Sequence, residues 1–198
     1  MKNLADHLLD VLENSVKAGA SRVRVTLGWT EKGLFGWEVT DNGRGVPPGD
    51  LTDPFTTSRK ERRVGLGLAL LRETAEQTGG RLAVFPGARN GAVLEFETDP
   101  GSMDARPFGD LARALVDALA CWPEVGFRIR LRPPGGRPGV IFDSGEAGEI
   151  LGPAAVREKA VRVFIHNLLK REFAQAGIDT QFGCAPGRPG RNQDTGEK

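Results

Sequence analysis

Apolar residues recur along this chain with two periods, and the change from one period to the other predicts where helices and strands lie. Over 4–18 the leucines and valines return every three or four positions, so they form one stripe of an amphipathic helix. Over 21–27 valine and leucine alternate with polar residues, which is typical of a half-buried strand. The same patterns predict strands at 34–40, 81–85 and 92–98 and a helix at 66–78.

The second half repeats these patterns after a segment, 99–107, that has the composition of a linker. Here the patterns predict a helix at 110–122, a hairpin at 125–132 and 138–144, and a long helix at 153–176 that Pro153 begins and Gly177 ends. We therefore predict one domain at 1–99, a small α-β-β-α domain at 107–180, and a disordered tail at 183–198.

The order of the elements predicts an α+β fold. In the first half each helix is followed by two strands joined by a short turn, and helices packed on one face of such a sheet are the economical arrangement. We expect a two-layer α/β sandwich with a mixed, mainly antiparallel sheet, followed by a small α+β C-terminal unit.

Composition limits the partners. The chain has 198 residues, 39% apolar and 27% charged, which suits a soluble protein with a real core. Its formal net charge is +1, so we expect neither a nucleic-acid nor a membrane partner. Its two cysteines, Cys121 and Cys184, fit no metal spacing and no disulfide framework, so we expect a reducing, cytoplasmic setting.

The polar side of the first helix is a candidate for chemistry. Asp10, Asn14 and Lys17 fall on one narrow face, opposite the leucines. Such a face is ordinarily solvated. The alternative is a ligand site, because Mg²⁺ prefers oxygen ligands and is usually held by few protein groups plus the phosphates of a substrate.

Two glycine-rich stretches are further candidates. The motif "DNGRGVP" at 41–47 follows the strand predicted at 34–40. The motif "GLG" at 65–67 opens the helix predicted at 66–78. Each could be a plain turn or a packed helix start, or a place where the backbone approaches an anion. The second stretch is not a Walker loop, because no lysine follows its last glycine, and no parallel βαβ pattern makes it a dinucleotide fingerprint.

The order of these motifs carries a family resemblance. An asparagine on a helix, DxGxG after a strand, "DPFTTSRKERR", and GxG opening a helix resemble the ATP-binding domain of DNA gyrase, ninety-kilodalton heat-shock chaperones, histidine kinases and MutL. The resemblance covers about residues 1–98 and implies the fold of that superfamily, the Bergerat fold, with ATP and Mg²⁺ as cofactors. "ENSVKAGASRVRV" resembles the gyrase and MutL version, and "GLGLALLRETAEQTGGRL" the histidine-kinase version.

The resemblance also implies roles for particular residues. Asp41 matches the aspartate that accepts a hydrogen bond from the adenine amino group, and Gly43 and Gly45 match glycines that line the base pocket. Asn14 matches the Mg²⁺ ligand, and Lys17 a lysine near phosphate. The remaining matches are the lid border at Phe55, Thr56 and Thr57, the basic lid containing Lys60, and the second glycine box at Gly65, Leu66 and Gly67.

The resemblance leaves three functions open. Hydrolases of this superfamily carry a glutamate where this chain has Asp10, which is one methylene shorter, and an error of about 1 Å can cost on the order of a hundredfold in rate. Efficient hydrolysis is therefore not expected. The main hypothesis is transfer of the γ-phosphate of ATP to a partner protein in trans. The alternatives are an ATP-dependent switch or anti-sigma-like binding module without turnover, and a hydrolase of the gyrase and MutL type.

We do not expect the histidines to complete a histidine kinase. Such kinases place a helical hairpin with the phosphorylated histidine before the ATP-binding domain, and six residues precede His7 in this sequence; we expect His7 to be a surface residue. His166 lies in the long C-terminal helix, where we expect it to be buried or interfacial; the alternative is a phosphate acceptor. A partner protein is expected to supply the phosphate acceptor, and the long helix is also a candidate contact with a second copy.

Overall fold

The structure, a computed structural model, describes residues 3–46, 64–87, 90–152 and 155–178. Its helices are α1 (Leu4–Lys17), α2 (Val64–Gln77), α3 (Leu111–Cys121), α4 (Ser144–Leu151) and α5 (Lys159–Gln175). Its strands are β1 (Arg22–Trp29), β2 (Phe35–Asp41), β3 (Arg81–Pro86), β4 (Ala92–Thr98), β5 (Gly126–Arg132) and β6 (Gly139–Asp143).

The six strands form one open sheet in the order β3-β4-β2-β1-β5-β6. All neighbours are antiparallel except β1 and β5, which run in parallel with Arg22 opposite Gly126 and Gly28 opposite Arg132. The α+β prediction with a mixed, mainly antiparallel sheet is confirmed.

One face of the sheet carries the core. In β1 the side chains of Val23, Val25 and Leu27 are buried. Arg22, before them, and Arg24, between the two valines, are exposed, so the alternation seen in the sequence separates the two faces. Helices α1, α2, α3 and α5 contribute buried residues to the same core cluster. The helices therefore form one layer and the sheet the other.

The segment after residue 103 completes this sheet and core. The backbone N–H groups of Leu4 and Ala5, at the start of α1, donate to the carbonyls of Pro107 and Phe108 at 3.0 and 2.9 Å. Phe108 is buried. The two-domain division stays a prediction about boundaries, but the predicted C-terminal hairpin extends the first sheet instead of forming its own.

Two features near the C-terminus differ from the prediction. Helix α4 was not expected; it begins because the Asp143 carboxylate accepts hydrogen bonds from the N–H groups of Gly145 and Glu146. The long helix begins at Lys159, after a 3-10 turn at Ala155–Arg157, and not at 153. Pro153 and the tail at 183–198 lie outside the described residues. None of the described helices combines the length and apolarity needed to cross a bilayer.

Candidate functional site

Helix α1 presents two different sides at the candidate site. Its apolar side is buried, and the Asn3 side chain caps its start by accepting a hydrogen bond from the Asp6 N–H at 2.9 Å. On the polar side Asp10 and Asn14 are half-buried and Lys17 is exposed. The structure thus brings the first two predicted residues to the edge of the core and leaves the third at the surface.

The Asp41 carboxylate, at the end of β2, is the best-held acidic group of the site. It is buried, with 9% of the residue exposed. Its Oδ2 accepts a hydrogen bond from the Ser15 hydroxyl at 2.8 Å, and its Oδ1 accepts from the N–H groups of Gly43 at 2.9 Å and Ala92 at 3.3 Å. Residues of α1, of the loop after β2 and of β4 therefore fix this carboxylate.

These bonds leave room for one more donor on Asp41. A carboxylate offers about four lone-pair positions, and the three donors among the described residues occupy three of them. The unfilled position is on Oδ2, the oxygen that Ser15 approaches. An additional N–H donor, such as an exocyclic amino group, could be accepted there.

Ser15 is the site residue that sequence reasoning missed. It is 5% exposed and follows Leu4, Leu8 and Val11 along the buried stripe of α1. A polar residue on that stripe needs a partner inside the protein. The serine on the apolar stripe was therefore the signal in the sequence for a buried hydrogen bond, and Asp41 is the acceptor of that bond.

The two glycines of DNGRGVP are explained by packing within the protein. A Cβ built at Gly43 would lie 2.9 Å from the carbonyl oxygen of Ala18, at the end of α1. Gly45 has a φ of +82°, and a Cβ there would overlap the carbonyl oxygen of Asn90. The role as pocket-lining glycines stays a prediction. The described contacts show that both let the loop after β2 lie against its neighbours.

The glycine box of α2 meets the polar side of α1. A Cβ added to Gly67 would overlap Oδ2 of Asp10, so the absence of a side chain admits this carboxylate. Burial raises the pKa of Asp10, the nearby Glu13 raises it further, and Lys17 opposes the shift. On the side that faces α1, Gly67 therefore contacts the carboxylate of Asp10.

The other polar groups of α1 are differently engaged. Lys17 forms a 2.8 Å ion pair with Glu13, one turn earlier, and both side chains are partly exposed. The Asn14 amide nitrogen is enclosed and has no hydrogen-bond partner among the described residues. Such an orphaned group is the kind that a ligand can satisfy.

Several predicted residues lie outside the described structure. Phe55, Thr56, Thr57 and Lys60 fall in 47–63, and at the start of α2 only the helical backbone of Gly65 and Leu66 is described. Their predicted roles stay predictions.

The two histidines occupy different environments. The expectation of a surface His7 is wrong: the residue is 1% exposed, and neither ring nitrogen has a partner among the described residues. Burial, followed by the charges of Arg106 and the N-terminus, lowers its pKa to about 4, although Asp6 opposes the shift. His166 is half-buried, with Nε2 3.1 Å from Oδ2 of Asp110.

The donor set fits a nucleotide carrying Mg²⁺ better than a protein-held metal. The described residues contain no cluster of three or more histidine, cysteine, aspartate or glutamate side chains that could hold a metal ion. Asn14 offers one amide oxygen, and Mg²⁺ characteristically completes its shell with water and substrate phosphates. The open sheet, the helix layer on one face of it and the buried Asp41 at its edge define this protein as a two-layer α/β sandwich with a polar site.

Comparison with known families gives the same result. Residues 2–103 match the family described as histidine kinase-, DNA gyrase B-, and HSP90-like ATPase. The chain belongs to this family, whose ATP-binding domain is shared by histidine kinases, MutL and gyrase.

The chain is similar both to sensor proteins and to MutL proteins. It is 34% identical over 94 residues to the sensor protein KdpD of Escherichia coli (strain K12), covering 44% of this chain and 10% of that protein. It is 29% identical over 199 residues to the DNA mismatch repair protein MutL of Thermus thermophilus, covering 92% of this chain and 33% of that protein. The chain therefore spans a third or less of these relatives.

A solved structure, the N-terminal domain of a DNA repair protein, resembles this fold with a TM-score of 0.54 and 12% identity. The match covers 72% of this chain and 53% of that one. Because it reaches beyond half of this chain, the likeness of fold is not confined to residues 2–103.

Proposed function

We propose that this chain binds ATP with Mg²⁺ and transfers the γ-phosphate to a partner protein in trans. The observation that carries the proposal is the buried Asp41 carboxylate. In the part of the chain that the structure describes, three donors hold it and one acceptor position stays open. A buried carboxylate with one open acceptor position favours a ligand that donates a hydrogen bond to that position. The amino group of adenine is such a donor.

In this proposal each residue of the site binds or orients a part of the nucleotide. Asp41 accepts a hydrogen bond from the amino group of the base, and the Ser15 hydroxyl keeps Oδ2 in place by donating to it. Asn14 offers its amide oxygen to Mg²⁺, and Lys17 exchanges its surface partner Glu13 for a phosphate. A magnesium ion held there would supply charge neutralisation to the phosphates. The backbone of Gly65 and Gly67 and the segment with Phe55, Thr56, Thr57 and Lys60 are proposed to close around the phosphates.

The choice between transfer and hydrolysis rests on Asp10. Its carboxylate lies against Gly67, and its pKa is raised mainly by burial. A raised pKa suits a group that receives a proton, but a short side chain packed on backbone is poorly placed to orient water. This packing favours transfer to a partner and also favours the second candidate, a nucleotide-dependent switch without turnover.

A transfer assay separates these functions. Incubation of the purified chain with γ-labelled ATP and cell extract should label a protein, and Asn14→Ala should abolish the label. Asn167→Ala, an exposed asparagine on α5, is the matched control and should label as well as the unaltered chain. Equal labelling by Asn14→Ala would reject transfer through Asn14.

Phosphate release by the purified chain tests the hydrolase alternative. We expect release to be negligible while ATP still binds. Steady release that Asp10→Asn stops, and that Asp104→Asn at an exposed position does not, would establish a hydrolase instead.

A further inference from the structure

The charges on the open face of the sheet are segregated by strand. Away from the helices β1 presents Arg22 and Arg24, and β5 presents Arg128, Arg130 and Arg132. The parallel register places Arg24 directly beside Arg128. These five side chains on two adjacent strands are the arginine band.

The other half of the same face is acidic. Glu38 of β2 and Glu95 of β4 are neighbours in register, and Glu97 follows on β4. Arg81 of β3 is bound to both Glu95 and Glu97, at 2.9 and 3.2 Å. The positive charge of the face is therefore concentrated on β1 and β5.

The arginine band has few acidic partners of its own. Arg128 is paired with Asp143, and Arg24 is 3.9 Å from Glu38. Arg22 and Arg132 have no carboxylate partner among the described residues. An anionic ligand would meet at least two unpaired guanidinium groups.

Arg130 shows that this crowding has a cost. One of its terminal nitrogens donates to the Pro138 carbonyl at 2.9 Å, but its Nε is enclosed and has no partner in the part of the chain that the structure describes. Like charges side by side on adjacent strands also destabilise a sheet. Neither feature stabilises the fold, and the repulsion between the arginines would be offset by a bound polyanion.

The other residues of β1 and β5 on this face indicate what kind of polyanion the arginine band would bind. They are Thr26, Gly28 and Gly126, so the band has no apolar or aromatic side chain on this face. Protein interfaces draw their affinity from aromatic and apolar anchors, and single-stranded nucleic acids from stacking on aromatic rings. A duplex needs neither, since basic side chains hold its phosphates.

We propose that the arginine band binds the phosphate backbone of double-stranded DNA without regard to sequence. Strands of this length extend about 20 Å, which matches roughly six base pairs, and the acidic half of the face would repel the duplex from the rest of the sheet. The proposal is independent of the nucleotide site, since the band lies on the opposite face from the helices.

Anisotropy of a labelled 20-base-pair duplex at 20 to 200 mM NaCl, without ATP, tests the proposal. We expect a dissociation constant on the order of micromolar at low salt and a slope of log K against log salt of about −3 to −4. Arg22→Gln with Arg132→Gln should make the slope shallower by about 2 and weaken binding at least tenfold.

Matched variants make the result specific. Arg81→Gln removes an arginine of the same face that two glutamates already neutralise, so its affinity should equal or exceed that of the unaltered chain. Arg113→Gln removes an exposed arginine of α3, in the helix layer, and should bind the duplex unchanged. Circular dichroism of each variant confirms that it is folded.

Three results would overturn the proposal. They are binding too weak to detect at 100 μM protein in 20 mM NaCl, equal affinity of the double arginine variant and the unaltered chain, and tighter binding of a single strand than of the duplex. Dimerisation at low salt that the double arginine variant abolishes, without DNA binding, would assign the band to the acidic half of a second copy.

Discussion

At the residue scale, the candidate site is organised by buried polar groups and their partners. Asp41 has three donors and Ser15 has Asp41, whereas Asn14 and His7 each retain an enclosed nitrogen without a partner among the described residues. Satisfied groups stabilise the fold, and unsatisfied groups cost free energy unless a ligand or a neutral state relieves them. The two unsatisfied residues therefore lead to different predictions.

His7 predicts a pH dependence of stability. Its folded pKa is about 4 and its ordinary value is 6.5, so the unfolded chain takes up a proton first as the pH falls. Stability is unaffected by His7 above pH 6.5 and decreases as the pH falls from 6.5 to 4, by at most about 3 kcal/mol. Urea unfolding at several pH values measures this.

The comparison variant is His7→Leu, which cannot titrate. Its stability should fall less steeply between pH 6.5 and 4 than that of the unaltered chain, and at pH 7 it should be no less stable. Parallel profiles for the two proteins would show that His7 does not titrate as a buried neutral residue.

Sequence reasoning was most successful at the element scale. Strands β1 and β2 and helix α1 lie close to their predicted ranges, because alternation and helical period report directly which side chains face a core. Helix α4 was missed because it has no buried residue and contains two glycines, so it carries no periodic signal. It depends on a side-chain cap from Asp143.

The parallel pairing of β1 with β5 depends on one glycine. Gly28 has a φ of +138°, and a Cβ there would overlap the carbonyl oxygen of Arg132 on β5. Gly28→Ala should therefore cost at least about 3 kcal/mol, from backbone strain together with displacement of β5. Gly33→Ala is the matched control, since Gly33 also has a positive φ, +75°, but has open space around it.

Chemical denaturation of the two alanine variants measures the difference. The Gly33 variant should lose about 1 kcal/mol from strain alone. Equal losses at the two positions would mean that the close approach of β1 and β5 is not what requires Gly28.

At the whole-molecule scale, the sequence did not show that both halves build one sheet. Residues 99–107 have the composition of a linker, and the pairing partner of a parallel strand is not encoded in its own alternation. The net charge of +1 likewise averages the basic and acidic halves of the open face, so it gives no sign of the arginine band. Both features depend on strand order.

The joint sheet predicts that the first 103 residues do not fold alone. Truncation after Met103 removes Phe108, whose ring centroid is 4.4 Å from that of Phe35, and the Ala176 carbonyl that accepts a 2.7 Å hydrogen bond from the Trp29 indole. It also leaves β1 as an open edge. The fragment should lack a cooperative urea transition, whereas a transition as steep and as late as that of the full chain would support two separable domains.

Calorimetric titration with ATP in the presence of Mg²⁺ tests whether Asp41 holds an adenine nucleotide. The full chain should bind ATP saturably at micromolar to submillimolar concentration. Asp41→Asn should abolish this binding because the amide cannot replace the carboxylate that Ser15, Gly43 and Ala92 hold. No heat from ATP at millimolar concentration, or equal binding by the Asp41 variant, would show that Asp41 does not hold the nucleotide.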